Sequence, residues 1–148
     1  MPLHFEITSP ERLVLKDEID QVSIPTAMGE ITVLPGHVPL VAELVPGELR
    51  VKRNGEQHFY AVAGGFVEVQ PDDRVVILAD AVERDDELDI TAIEAAEERA
   101  RKALSEQTRM DDTAFAAAAA ALEHEMARLR VARKRAPRST PVTRKGAE

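Results

Sequence analysis

Apolar and polar residues alternate in short runs through the first half of the chain, and the period then changes. Leu3, Phe5 and Ile7 alternate with His4, Glu6 and Thr8, which predicts a strand with one buried face. Pro10 interrupts it, and Leu13-Val14-Leu15 and the pair Val22 and Ile24 predict two more short strands. Ile31 and Val33 alternate with Glu30 and Thr32, before Pro35-Gly36 turns the chain. Leu40-Val41-Ala42 runs on to a second turn at Pro46-Gly47, after which Leu49 and Val51 alternate with charged neighbours. Asn54-Gly55 is a hairpin signal, because a type I′ turn needs positive φ at both central residues. Phe59 to Ala63 returns, and Gly64-Gly65 marks a bulge or a close backbone approach. Val67 and Val69 share a face, Pro71-Asp72-Asp73 turns, and Val75 to Ala79 is continuously apolar, as a buried strand is. Many short strands with regular turns and no helix between them predict an antiparallel sandwich or barrel over residues 1–84.

The acidic segment Glu83 to Asp89 precedes the change of period, and residues 85–89 read as a linker. Thr91 and Glu94 fit a capping box, with Asp89 as a rival N-cap. Ile93, Ala96, Ala100 and Ala103 then recur at helical spacing, and Gln107 to Asp112 breaks the pattern. Asp112 or Thr113 is placed to cap a second helix, in which Phe115, Ala119, Leu122, Met126 and Leu129 form a heptad-like seam. Two seams joined by a short loop predict an antiparallel helical hairpin over residues 90–135. Pro137 disfavours further helix, and the basic, proline-containing segment 136–148 reads as a disordered tail. The expected class is α+β, mainly β: a sandwich followed by a two-helix hairpin. The seams are rich in alanine, each methyl worth about 0.8 kcal/mol when buried against about 1.5–3 for a leucine. That fits a stable alanine-rich hairpin, and equally one that detaches without unfolding the sandwich.

Charge and composition narrow the function. The net charge of −8 hides an asymmetry: residues 1–89 carry 7 basic and 18 acidic side chains, the rest 12 and 9. An acidic front disfavours nucleic acid and anionic lipid, while the basic rear suits an acidic partner or a solvated helix. With no cysteine there is neither a disulfide framework nor a thiolate metal site. No apolar run approaches the ~18 residues that span a bilayer, so any membrane association is expected through a partner. His4, His37, His58 and His124 form no metal pair at helical spacing. His4 and His58 fall on strands and are expected to face solvent or a partner. No nucleophile elbow or phosphate loop is present, and Asp72-Asp73, Asp85-Asp86 and Asp111-Asp112 are explained by turns and caps. This favours a binding or mechanical part over a catalyst.

The stretch Gly29 to Leu40, with its Pro35-Gly36 turn and His37, resembles the signature of the epsilon subunit of bacterial F-type ATP synthase, called delta in mitochondria. The likeness continues at Ala63-Gly64-Gly65-Phe66-Val67-Glu68-Val69 and at Val75-Val76-Ile77-Leu78-Ala79-Asp80, and covers roughly Leu3 to Arg135 in the same order. The resemblance implies a non-catalytic rotor component at the cytoplasmic face of the bacterial plasma (inner) membrane, whose sandwich grips the gamma subunit and rests on the c-ring. It maps the c-ring contact onto Glu30 and His37, on a stiff loop displaying one carboxylate and one imidazole. It also implies that the helices fold against the sandwich, or extend into the alpha/beta catalytic head and block hydrolysis, with Arg128, Arg130, Arg133, Lys134 and Arg135 meeting an acidic surface on the beta subunit. Some members bind ATP through an Ile/Leu-Asp-x-x-Arg-Ala motif. Here Leu88 and Asp89 match, but Ala92 stands in place of the arginine. Glu83 and Arg99 remain compatible with such a site, yet a multidentate phosphate contact is lost, so weak ATP binding or none is expected. A sandwich enzyme and a free-standing nucleotide sensor or adaptor are the other classes, since fold does not fix function. Co-purification with a membrane ATPase separates them from a rotor part.

Overall fold

The computed structural model describes residues 2–107 and 111–135, the side chain of Arg135 excepted. Ten strands come first: β1 (Leu3–Thr8), β2 (Leu13–Ile19), β3 (Gln21–Thr26), β4 (Gly29–Val33), β5 (Leu40–Leu44), β6 (Gly47–Arg53), β7 (Glu56–Val62), β8 (Gly65–Gln70), β9 (Arg74–Ala79) and β10 (Val82–Arg84). Two helices follow, α1 (Ile90–Glu106) and α2 (Asp112–Arg135). The strands run β10-β7-β6-β3-β5-β8-β9-β1-β2, with β4 on the other side of β3. β3 is the pivot: it pairs with β6 through Gln21 to Ser23 and with β5 at Thr26 opposite Leu44. The ladder changes partner there and folds into two layers whose inner faces share one core.

That core follows from the alternation. Leu3, Phe5 and Ile7 of β1, Val67 and Val69 of β8, Val75 and Ile77 of β9, and Leu49 and Val51 of β6 are all buried in it. Gly65 has φ +123 and lies opposite Ala79, where a Cβ would collide with the Leu78 carbonyl oxygen, so the close approach predicted at the glycine pair is real. Two features depart from the expectation. β1 pairs with β9 in parallel, the other pairings being antiparallel. Val82–Arg84, inside the expected sandwich bounds but not singled out as a strand, pairs with β7, with Val82 opposite Val62 and Arg84 opposite Tyr60.

The acidic segment is also less loose than its composition suggests. Asp85–Glu87 forms one 3₁₀ turn. Glu87 accepts from the Arg84 amide at 2.8 Å and from the Arg12 guanidinium at 2.8 Å. These hydrogen bonds, the Arg12 one first, hold the Glu87 carboxyl below its ordinary pKa.

Asp89, not Thr91, caps α1. Its backbone is extended, and its carboxylate accepts from the Ala92 amide at 3.3 Å. At α2 the cap is Asp111, accepting from the Ala114 amide at 3.0 Å, one residue before Asp112 and two before Thr113, the predicted positions. The hairpin closes where Ile93, near the start of α1, meets Leu129 and Ala132, near the end of α2, with Leu88 and Ile90 packed alongside. Of the predicted α1 seam only Ile93 is fully buried, and Ala103 is exposed. Of the α2 seam Leu122 and Leu129 are buried, but Phe115, Ala119 and Met126 only half so. Ala127 and Val131, outside that seam, are fully buried, because α2 packs on β6 and β7 as well as on α1.

Candidate functional site

Three sets of residues were singled out as contact sites, and the structure arranges each differently from the sequence. Glu30 and His37 are not on one loop. Glu30 stands near the start of β4, opposite Pro25 in the β3–β4 ladder, and His37 lies beyond the other end of that strand. At about 3.3 Å per residue the rest of β4 alone separates them by roughly 10 Å. Both oxygens of Glu30 accept from one Arg50 nitrogen at 3.0 Å, an exposed pair of modest energy.

The loop carrying His37 is braced. Leu34 O accepts from the His37 amide at 3.1 Å, and the His37 Nδ1 lies 2.6 Å from Val38 O. Gly36, at φ +88, donates its amide to the Asp73 carboxylate at 2.7 Å, tying this loop to the β8–β9 turn. Leu34 and Val38 stay exposed on it, so the loop offers apolar as well as polar contact.

The basic set on α2 is mostly engaged within the chain. Arg128 makes a two-pronged contact with Glu83, at 2.6 and 3.0 Å, and a further one with Glu125 at 2.7 Å. Burial opposes the charge of Arg128, but the bonds to both carboxylates leave its pKa raised. Lys134 sits 3.5 Å from Glu48 and 5.1 Å from the centre of the Phe59 ring. Arg133 approaches Glu94 of α1 at 3.4 Å. Arg130 is exposed, and the Arg135 side chain lies outside the described residues, as does the predicted tail 136–148.

The nucleotide candidates do not converge. Glu83 is occupied by Arg128, Asp89 caps α1, and Leu88 packs in the hairpin cluster. Arg99 lies ten residues along from Asp89, about 15 Å of helix. Sequence reasoning missed that Glu83 and Arg128, raised for different reasons, are partners. It also missed His124, half-buried one turn before Arg128, with a buried Nε2 that has no hydrogen-bond partner. Burial first, then the nearby Arg128, lowers its pKa, against the pull of Glu125 and Glu83. A depression of about 480 Å³, open to solvent, is lined by residues that include His4, Glu6, Lys16, Asp17, Glu18 and Arg74, with His4 3.7 Å from Glu18. Asp17 there bonds Arg53 and Arg74 donates to Gln70, so these side chains are engaged outside the depression. Among the described residues no three His, Asp or Glu side chains are grouped to hold a metal, and no helix is long and apolar enough to cross a membrane.

Residues 2–85 match the model of the ATP synthase delta/epsilon chain β-sandwich domain. The chain belongs to the ATP synthase epsilon-chain family. It is 48% identical over 132 residues to the ATP synthase epsilon chain of Chloroflexus aggregans, covering 89% of this chain and 93% of that one. The likeness to that of Herpetosiphon aurantiacus is 44% over 135 residues, 91% and 97% of the two chains. Both alignments run through the helices, so family membership is not confined to the sandwich. Among solved structures, a chain of the Euglena gracilis mitochondrial ATP synthase, seen with OSCP, F1 and c-ring, superposes with a TM-score of 0.75 at 27% identity, covering 88% of this chain and 81% of that one.

Proposed function

We propose that this chain is the non-catalytic central-stalk subunit of a bacterial F-type ATP synthase, turning with the gamma subunit and the c-ring to couple proton flow to ATP synthesis in the alpha/beta head. The observation that carries this reading is the match of sandwich and hairpin together, across 88% of the chain, to a chain of a rotary ATP synthase. The complex is membrane-associated, and the chain reaches the cytoplasmic face of the inner membrane through its partners. His37 and its braced loop serve as the c-ring contact, and Glu30 contributes from the far end of β4. No nucleic acid is involved, and ATP binding is weak or absent, since Ala92 donates no guanidinium and Glu83 is already paired.

The hairpin is the brake on hydrolysis. In the folded-down form Arg128, Arg133 and Lys134 are paired within the chain, so this form is the disengaged one. Engagement of the head exchanges those intrachain carboxylates for carboxylates of the beta subunit. Residues 85–89 and the sheet end at Arg84 form the boundary at which the hairpin leaves the sandwich. Removing everything after Glu87 is expected to raise ATP hydrolysis by the assembled enzyme while leaving synthesis intact. The measurement pairs hydrolysis with proton pumping in membranes carrying full-length or truncated chain. Equal hydrolysis in both removes the brake, and loss of pumping on truncation assigns the helices to coupling instead.

A further inference from the structure

Lys134, near the end of α2, is joined to Glu30 of β4 by an alternation of charge across the outer face of the sheet. Register sets the line. Glu30 lies opposite Pro25 of β3, and Ser23, two residues earlier on the same face, lies opposite Arg50 of β6, with Glu48 two residues from Arg50. The alternate residues Val22, Ile24, Leu49 and Val51 are in the core. One Arg50 nitrogen donates to both oxygens of Glu30 at 3.0 Å, and the other terminal nitrogen stands 3.9 Å from Glu48 Oε1. Glu48 Oε2 is in turn 3.5 Å from the Lys134 ammonium. From β4 to the foot of the hairpin the charges therefore run minus, plus, minus, plus.

The two carboxylates are unequal. The Glu30 side chain is 50% exposed and that of Glu48 14%, so solvent screens the Glu30 pair more. Yet the exposed carboxylate holds Arg50 and the sheltered one does not. Glu48 Oε2 is buried with no hydrogen-bond partner, and both cations beside this carboxylate stand beyond ordinary hydrogen-bond length. A buried oxygen left unbonded is costly, so Glu48 gains from any cation that closes on it. Arg50 has room to do so, since with Ser23, Phe59 and Lys134 it lines an open depression of about 250 Å³. Glu30 is what holds it back. We infer that Arg50 is a shared cation, and that its division between Glu30 and Glu48 sets how firmly Lys134 holds the hairpin to the sandwich. When a cation of another chain takes Glu30, Arg50 turns to Glu48, neutralises it and brings a like charge towards Lys134, and the foot of α2 loosens. Such coupling is reciprocal: a docked hairpin leaves Arg50 on Glu30 and makes that carboxylate less available outside the chain. Naming the other chain rests on the central-stalk reading, on which it is the c-ring, and seating on the ring then readies the hairpin for the head.

The test is a mutant cycle in the isolated full-length chain, read by amide exchange over residues 127–132 of α2. Glu30→Gln frees Arg50 and is expected to speed that exchange about two- to threefold, the worth of one exposed ion pair. Arg50→Gln leaves Glu48 to Lys134 alone and is expected to slow it by a similar factor. If the Glu30–Arg50 pair acted only as a brace for the sheet, both substitutions would break it and shift exchange in the same direction. In a Lys134→Ala background neither substitution is expected to change exchange, because the coupling runs through that side chain. Shifts of the same sign, shifts that survive Lys134→Ala, or no shift at all overturn the coupling. So does an equal change in the amides of β1, which marks a global change of stability. The isolated chain has no c-ring, so each of these results leaves the stalk reading standing. Failure of the stalk reading leaves the cycle as it is and removes only the identity of the partner.

Discussion

The sandwich and the hairpin are built from the same simple apolar alphabet but held by different means. Nineteen buried hydrophobic residues form one continuous core between the two sheet layers, and most are Val, Leu, Ile or Phe. The hairpin has a cluster of three buried residues, Ile93, Leu129 and Ala132. A buried Val, Leu, Ile or Phe is worth about 1.5–3 kcal/mol and an alanine methyl about 0.8, so the sandwich core outweighs the hairpin cluster several-fold. The hairpin adds ion pairs to its apolar burial: Arg128 with Glu83 and Lys134 with Glu48 against the sandwich, and Arg133 with Glu94 between its helices. Apolar packing is indifferent to partner charge, but an ion pair can be exchanged for another. The difference teaches that the sandwich is held by what cannot be traded and the hairpin also by what can.

The largest effect expected from this contrast is in the core. Phe5→Ala is predicted to cost about 3–5 kcal/mol of global stability. Leu129→Ala, losing a similar group from the hairpin, is expected to leave the sandwich transition in place and to loosen only α2. Urea unfolding of both variants, read alongside amide exchange in α2 and in β1, checks the pair. A global loss from Leu129→Ala as large as that from Phe5→Ala would erase the distinction between modules. Next comes Arg128→Ala. It removes charge-assisted bonds in a half-buried setting and leaves Glu83 and Glu125 facing each other's charge, so docking of the hairpin weakens by roughly 1–3 kcal/mol. Faster exchange along α2 with an unchanged β-sheet is the signature, and unaltered exchange would refute it.

Acid should act in the same direction. Because burial lowers the His124 pKa, the docked hairpin favours the neutral ring. Its contribution is therefore complete above the ordinary value of about 6.5 and is lost as pH falls below it through the docked value. A distance label between α2 and β7 is expected to report release on acidification, and His124→Leu to flatten that response. An identical pH profile in the variant would show that other groups govern it. The smallest effect is at Lys134→Ala, where loss of the contact over Phe59 costs about 0.5–1 kcal/mol of docking, measured by the same label.

Much of the sandwich was legible because each strand carries its own evidence. Alternation places Leu3, Phe5 and Ile7 inward whatever their partner, and Asn54-Gly55 forces a hairpin locally, with Asn54 at φ +53 and Gly55 at φ +80. The parallel pairing of β1 with β9 was not legible, since it joins residues about seventy positions apart and leaves no local mark. Val82–Arg84 was hidden by its length and by the acidic run after it. In α2 the run Ala116 to Ala121 gives every face similar hydropathy, so the surface that meets β6 and β7 through Ala127 and Val131 had no signal to set it apart. The candidate sites suffered from distance of another kind. Glu30 and His37 are seven positions apart and stand at opposite ends of a strand, while Glu83 and Arg128 are forty-five apart and touch.

Asp73 has a further consequence. Its carboxylate holds the Gly36 amide, and its backbone carbonyl accepts from the His4 amide at 2.7 Å. One residue in the β8–β9 turn thus fastens the His37 loop to the start of β1, which runs parallel to β9. A sideways push on that loop need not be borne by the loop. It passes through two hydrogen bonds into β1, β8 and β9, whose inward residues lie in the core. A six-residue connection is thereby made mechanically continuous with the sheet, stiffened from outside rather than by its own length.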